Sequence, residues 1–257
     1  MKIIALAVLL LNSTTLPAQV DSLLSRVYNL NNIEAEKEDS RVLKQVMDGS
    51  TTSLSNFEVH TTTLPPGKSP HSPHTHPDAE ELIIIKDGLL KVTINDSTII
   101  LRPGSIAFIM PGDEHGFENA GSTMASYYVF KYKSKLPQSI DRAKQAGGSF
   151  ALNWEDLPME KTDKGGRRAF FNKSTSQLGK FEMHTTMLNK GMASHDQHRH
   201  TEEEIILVIS GNTEMHIADG FYSASAGDLV FLSSGVLHAL KNTGDGPCEY
   251  FAFQWKP

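Results

Sequence analysis

Cysteine is almost missing from this chain of 257 residues: Cys248 is the only one, so an internal disulfide framework is excluded. An excess of basic charge is missing too. The 24 Lys and Arg face 30 Asp and Glu, for a net charge of −6, which lacks the electrostatic footprint of a nucleic-acid binder. After Ala18 no apolar run is long enough to cross a bilayer. What is present is a 39% hydrophobic composition, sufficient for a buried core and unlike that of a disordered chain. The length suits one large domain or two small ones.

Residues 1–18 read as a signal peptide. Lys2 supplies a positive start, Ile3 to Leu11 is a short apolar run, and Leu16-Pro17-Ala18 ends on a small residue. No twin arginine and no cysteine stand at the cleavage point, so the expected route is general secretion without lipidation. The mature chain is expected to begin near Gln19 and to reside in the periplasm or outside the cell.

An internal repeat dominates the rest. Ser50 to Leu64 matches Ser174 to Leu188 at an offset of 124, sharing Phe-Glu-x-His-Thr-Thr-x-Leu. The register continues through Gly67, His71, His74 and His76 against Gly191, His195, His198 and His200. One deletion then shifts it to 123, where Glu81, Gly88, Gly104, His115 and Asn119 meet Glu204, Gly211, Gly227, His238 and Asn242. This is a duplicated domain. The expected division is a polar extension over 19–35 with a helical turn around Ser22 to Tyr28, a first domain over 36–134, a linker over 135–159, and a second domain over 160–257. In the linker, Pro137 to Gly147 reads as a short helix capped by Ser139.

Within each copy, short β-rich runs alternate with turns. Leu82–Ile85, Leu89–Ile94, Thr98–Leu101 and Ile106–Met110 are separated by Asp87-Gly88, Asn95-Asp96 and Pro103-Gly104. The second copy repeats them at Ile205–Ile209, Thr213–Ile217 and Leu229–Leu232. The pattern predicts an all-β protein of two tandem antiparallel sandwiches or small barrels.

The chemistry lies in the repeated polar residues. His74-x-His76 on a strand would place two imidazoles on one face. Glu81 shares parity with Ile83 and Ile85, so it should face inward, where a carboxylate needs a partner such as a metal cation. His115 follows a separate Pro111-Gly112 turn. The candidate metal ligands are therefore His74, His76, Glu81 and His115, rebuilt in the second copy as His198, His200, Glu204 and His238. Imidazole with carboxylate suits Mn, Fe, Ni, Cu or Zn, up to two divalent ions per chain. A protein that meets its metal outside the cytoplasm takes Cu or Zn by intrinsic affinity, with Fe, Mn or Ni as the alternatives.

These residues resemble the two motifs of the cupin superfamily, twice over. Gly67, His74, His76, Glu81 and Gly88 follow the first motif, and Gly104, Pro111-Gly112, His115 and Asn119 the second. Gly191, His198, His200, Glu204, Gly211, Gly227, Gly235, His238 and Asn242 repeat both. Six residues rather than the family's usual five separate each glycine from its His-x-His, and Ser233-Ser234-Gly235 replaces Pro-x-Gly. The resemblance to a bicupin implies a double-stranded β-helix, or jelly roll, in each half and a metal with open coordination positions. Quercetin-type dioxygenases, oxalate decarboxylases and sugar or acid isomerases share that pattern. The expectation is a metal-dependent enzyme acting on a small oxygenated or anionic molecule, dioxygenase- or decarboxylase-like, or else a non-redox isomerase or hydrolase. A non-catalytic module binding metal or sugar acid is the alternative. No catalytic acid or base is singled out, no nucleic acid or membrane span is implied for the mature chain, and a homo-oligomer stays open.

Strand parity sets the remaining expectations. Phe57 and Val59 should be core, which turns Glu58 and His60, with Glu182 and His184, toward solvent or a packed neighbour. His71 and His195 read as rim residues. Glu80 should point away from the metal, and Cys248 should be a small buried hydrophobe.

Overall fold

The computed structural model describes residues 22–257, so the expected leader over 1–18 lies outside the described residues. The chain folds into two jelly rolls, each a seven-stranded sheet facing a three-stranded one. All strand ladders are antiparallel. Among the described residues they do not close into a barrel.

In the first copy the large sheet runs in the order Phe150–Leu152, Ile106–Ile109, Glu80–Asp87, Ala125–Ser134, Leu54–Leu64, Val42–Gly49 and Glu36–Lys37. Its small sheet pairs Leu90–Ile94 with Ser97–Leu101 and with His115–Asn119. The second copy repeats this with Arg26–Tyr28, Leu229–Leu232, Glu203–Ser210, Cys248–Lys256, Lys180–Leu188, Gly165–Lys173 and Glu160–Thr162, faced by Gly220–Ser225, Asn212–Ile217 and His238–Asn242.

Each large sheet is buried on both faces. One face looks into its own cup, where Ile83, Ile85, Tyr127 and Val129 line the first copy. The other packs against the opposite copy: Phe57, Leu82, Phe130 and Tyr132 meet Phe181, Ile205, Phe253 and Trp255 in one core. Phe130 and Phe253 touch edge to face with ring centroids 4.9 Å apart. Two buried faces explain why Leu82-Ile83-Ile84-Ile85 is a continuous apolar run rather than an alternating one. Each such side chain stabilises the fold by roughly 2 kcal/mol through burial.

The copies also exchange strands. Arg26–Tyr28, from before the first copy, pairs with Leu229–Phe231 of the second. Phe150–Leu152, from before the second copy, pairs with Ile106–Phe108 of the first. The two strands stand 124 apart and each leads into a short 3-10 turn, at Leu30–Asn32 and Trp154–Asp156. The 124-residue offset thus also relates the elements that precede each copy. The helical turn expected around Ser22 to Tyr28 is instead this strand, because the open edge at Leu229–Leu232 supplies hydrogen-bond partners that an isolated turn lacks. The linker helix is present as Ile140–Gln145, with the Ser139 hydroxyl accepting from the Arg142 amide.

Candidate metal centre

Hairpins and loops at the mouth of each cup bring the donors together. In the first copy, two backbone hydrogen bonds of 3.0 and 2.9 Å clip His74 to His115. His74 and His76 thus lie on a loop held by one bridge, not on the strand expected for them. Glu81 enters from the strand Glu80–Asp87 with the inward parity expected of it. Gly88 ends that strand at φ +78°, where a Cβ would lie 2.6 Å from the Met124 carbonyl. The motif asparagines are structural. Asn119 donates to the Leu64 and Thr123 carbonyls, both at 2.8 Å, and Asn242 closes the matching turn of the second copy.

The side chains converge closely. His76 Nε2 lies 2.8 Å from one oxygen of Glu81, and His115 Nε2 lies 3.3 Å from the other. His74 Nε2 and His76 Nε2 are 3.0 Å apart. His74, His76 and His115 form a cluster able to hold a metal ion, and Glu81 borders it. His115 donates from Nδ1 to the Asp113 carbonyl at 3.0 Å, which leaves Nε2 as the lone-pair nitrogen facing the cluster. That buried Nε2 makes no aligned hydrogen bond, and its nearest oxygen is that of Glu81 at 3.3 Å. A buried imidazole lone pair of this kind fits a cation. Burial pulls the His74 ring down to about 4, and His115, His71 and His76 add to the shift. Burial pushes Glu81 up, but His115 and His76 outweigh it and hold the carboxyl far below its usual range.

The second copy repeats the arrangement with differences. His200 Nε2 and His238 Nε2 lie 3.2 and 3.4 Å from the same Glu204 oxygen. His238 and His200 donate from Nδ1 to the Val236 and Glu202 carbonyls, both at 2.9 Å. His238 Nε2 is again buried and makes no aligned hydrogen bond. Burial favours a neutral Glu204, yet His200 and His238 hold it down to about 2. Two overlapping donor clusters arise, one of His200, Glu204 and His238 and one of His195, His198 and His238. His195, expected only at the rim, thereby joins the site.

A cavity of about 310 Å³ opens over the second cluster. Arg167, His184, Thr186, Tyr250 and Gln254 line it together with the donors. The expectation that Glu182 and His184 turn toward solvent or a packed neighbour fails for His184, which faces the cup. The outward face assumed for it does not exist, because Phe181 and Met183 are buried between the copies. Burial lowers the His184 pKa, with Arg167 adding to the shift, so the ring is neutral at pH 7. In the first copy Leu43 stands where the second has Arg167, and Phe117 where it has Leu240. The Phe117 ring lies 5.7 Å from His115 and 5.6 Å from Tyr127, filling that cup. The sequence placed His184 on the wrong face and did not single out Arg167. The signal for Arg167 was the mismatch with Leu43 inside an otherwise matched repeat.

Glu80 faces away from the donors, as expected. It accepts hydrogen bonds from the Thr175 and Ser176 hydroxyls at 2.7 and 2.6 Å and from the Ser176 amide at 2.7 Å. Cys248 is buried in the second cup.

The profile of the cupin domain matches twice, over residues 60–131 and 184–253, together more than half of the chain. No curated protein matches it in sequence. Solved structures do. AerE from Microcystis aeruginosa superposes with a TM-score of 0.68 at 16% identity, covering 88% of this chain and 97% of its own. The formate complex of Lactobacillus farciminis oxalate decarboxylase gives 0.69 at 13% identity, covering 94% and 89%. A Pseudomonas aeruginosa protein provisionally described as glyoxylate-induced gives 0.71 at 16%, covering 94% and 93%. Such identities establish shared architecture alone. With the motif glycines, the asparagine-closed turns and a histidine cluster suited to a divalent metal in each copy, the chain belongs to the cupin family, as a bicupin.

Proposed function

We propose that this bicupin is an exported, metal-dependent enzyme that acts on a small anionic organic molecule in its second copy. The observation that carries the reading is the 310 Å³ cavity in which Arg167 and His184 share walls with His198, His200, Glu204 and His238. His74, His76, Glu81 and His115 are the ligand set of the first copy, and the four second-copy residues that of the other. A bound divalent ion would act as a Lewis acid on a substrate oxygen. Cu or Zn is the ion we expect after export, since imidazole-rich sites follow the first-row affinity order.

Arg167 supplies a fixed cation with paired donors, suited to a carboxylate. Its guanidinium also lies 3.3 Å from Glu182, which keeps it aimed along the wall. His184, whose pKa burial lowers, lines the cavity, and we assign it the role of proton acceptor there. The first copy, with Leu43 and Phe117, lacks this anion anchor and is assigned a metal but not the substrate. The oxalate decarboxylase among the structural neighbours makes short carboxylates the first compounds to try. The test is calorimetric titration of metal-loaded protein with oxalate, formate and glyoxylate, followed by assays for oxygen uptake and carbon dioxide release. Binding weakened about 30-fold by Arg167→Leu supports the reading. Binding of none of them, or binding indifferent to Arg167→Leu, overturns it.

A further inference from the structure

His195 stands outside the eight motif donors, yet the second copy brings it into them. Its Nδ1 donates to the Asp196 carbonyl at 2.9 Å, so the ring presents Nε2 as a free lone pair. It packs edge-on against His198 with centroids 4.0 Å apart and lies 6.0 Å from His238. One nitrogen from each of His195, His198 and His238 falls within 4.8 Å of the other two. Small ring rotations would bring all three to a metal–nitrogen distance of about 2.1 Å. Buried polar atoms without an aligned hydrogen bond lie at this cluster as well, His198 Nδ1 and His238 Nε2.

Burial is graded across the site. His195 is exposed, His198 half-buried and His238 buried. The inner cluster of His200, Glu204 and His238 shares its last member with the outer one. One imidazole nitrogen binds one ion, so the two positions cannot be filled together. Their chemistry also differs. Three neutral imidazoles suit Cu or Zn and leave the ion at its full charge. The inner position adds the Glu204 carboxylate, one oxygen of which lies 3.2 and 3.4 Å from the Nε2 atoms of His200 and His238. A cation is therefore drawn from the outer position to the inner one.

We propose that His195, His198 and His238 form an outer, all-imidazole metal station that captures Cu²⁺ or Zn²⁺ from solvent and passes it to the inner site. This rests on the reading that the second copy binds a metal. The counterpart in the first copy, His71, makes the matching contact to the Ser72 carbonyl at 2.9 Å but does not converge with two other donors. His71 packs against His74 at 4.3 Å, but only His74, His76 and His115 come together there as a cluster among the described residues. Loading should then be faster in the second copy than in the first.

The test uses the full chain with His74→Ala and His76→Ala, which confines binding to the second copy, and Cu²⁺ alone as the probe. In this background His195→Ala should leave one Cu²⁺ bound at equilibrium but slow its uptake by roughly tenfold, the lower end of what losing a residue beside a metal ligand costs. Because His195 is exposed, that substitution leaves the core untouched. In the same background, His200→Ala with Glu204→Gln should still bind one Cu²⁺, with paramagnetic resonance showing three nitrogen ligands. Adding His195→Ala to that chain should weaken binding about 100-fold. Unchanged uptake by the His195→Ala chain, or no Cu²⁺ bound once the inner ligands are replaced, overturns the outer station while leaving the inner site standing. No Cu²⁺ bound to the unaltered second copy overturns both.

Discussion

Glu80 and Glu203 occupy matching positions in the two copies, and each is buried in a loop of the other copy. Glu80 accepts from Thr175, Ser176 and Gln177, and Glu203 from Thr51, Thr52 and Ser53. Each sits one residue before a metal-ligand candidate, Glu81 or Glu204. The anchor between copies and the donor set within a copy are thus opposite faces of one strand.

That relationship predicts a stability effect. Glu203→Ala would strand the Thr51 hydroxyl and the Thr52 and Ser53 amides without acceptors. The cost should be roughly 3 kcal/mol, read by urea denaturation. Thr52→Ala, which leaves its backbone amide in place, should cost little. Equal costs for the two would show that Glu203 does not anchor the interface.

Arg167→Leu recreates in the second copy the residue found in the first. Loss of a charged hydrogen-bond donor should weaken binding of a small carboxylate by roughly 2 kcal/mol, about 30-fold. Metal content, measured on the same sample, should not change.

The neutral His184 makes a pH prediction. Its folded pKa lies below the ordinary 6.5, with burial the largest cause, Arg167 next, and Glu204 and Glu182 opposing. The unfolded chain therefore takes up a proton first as pH falls, and the folded state loses stability from pH 6.5 downward to the folded pKa. In metal-stripped protein, His184→Gln should lose less stability than the parent between pH 7.5 and pH 5. Parallel losses would show that the ring is solvated.

Much of this was legible in the sequence because the duplication printed every donor twice. Glu81 could be turned inward by parity with Ile83 and Ile85, and Cys248 could be assigned to the core. The same parity rule failed at His184. It assumes a sheet with one wet face, and here the second face is covered by the other copy. Arg26–Tyr28 was unreadable as a strand since its partner, Leu229–Phe231, lies some 200 residues away. His195 entered the cluster through a loop whose path no local pattern specifies.

Metal should also hold each cup together, since His74 and His115, or His198 and His238, come from separate segments clipped together by a few backbone hydrogen bonds. A chelator should lower the melting temperature by mass action, and added Cu or Zn should restore it.

The most direct measurement is the metal content of the full-length precursor after export, purified without added metal and quantified by mass spectrometry. The account predicts two equivalents of Cu or Zn per chain, falling to one in His115→Ala and to one in His238→Ala. Folded protein that carries no metal and takes up none from any first-row divalent ion would contradict it.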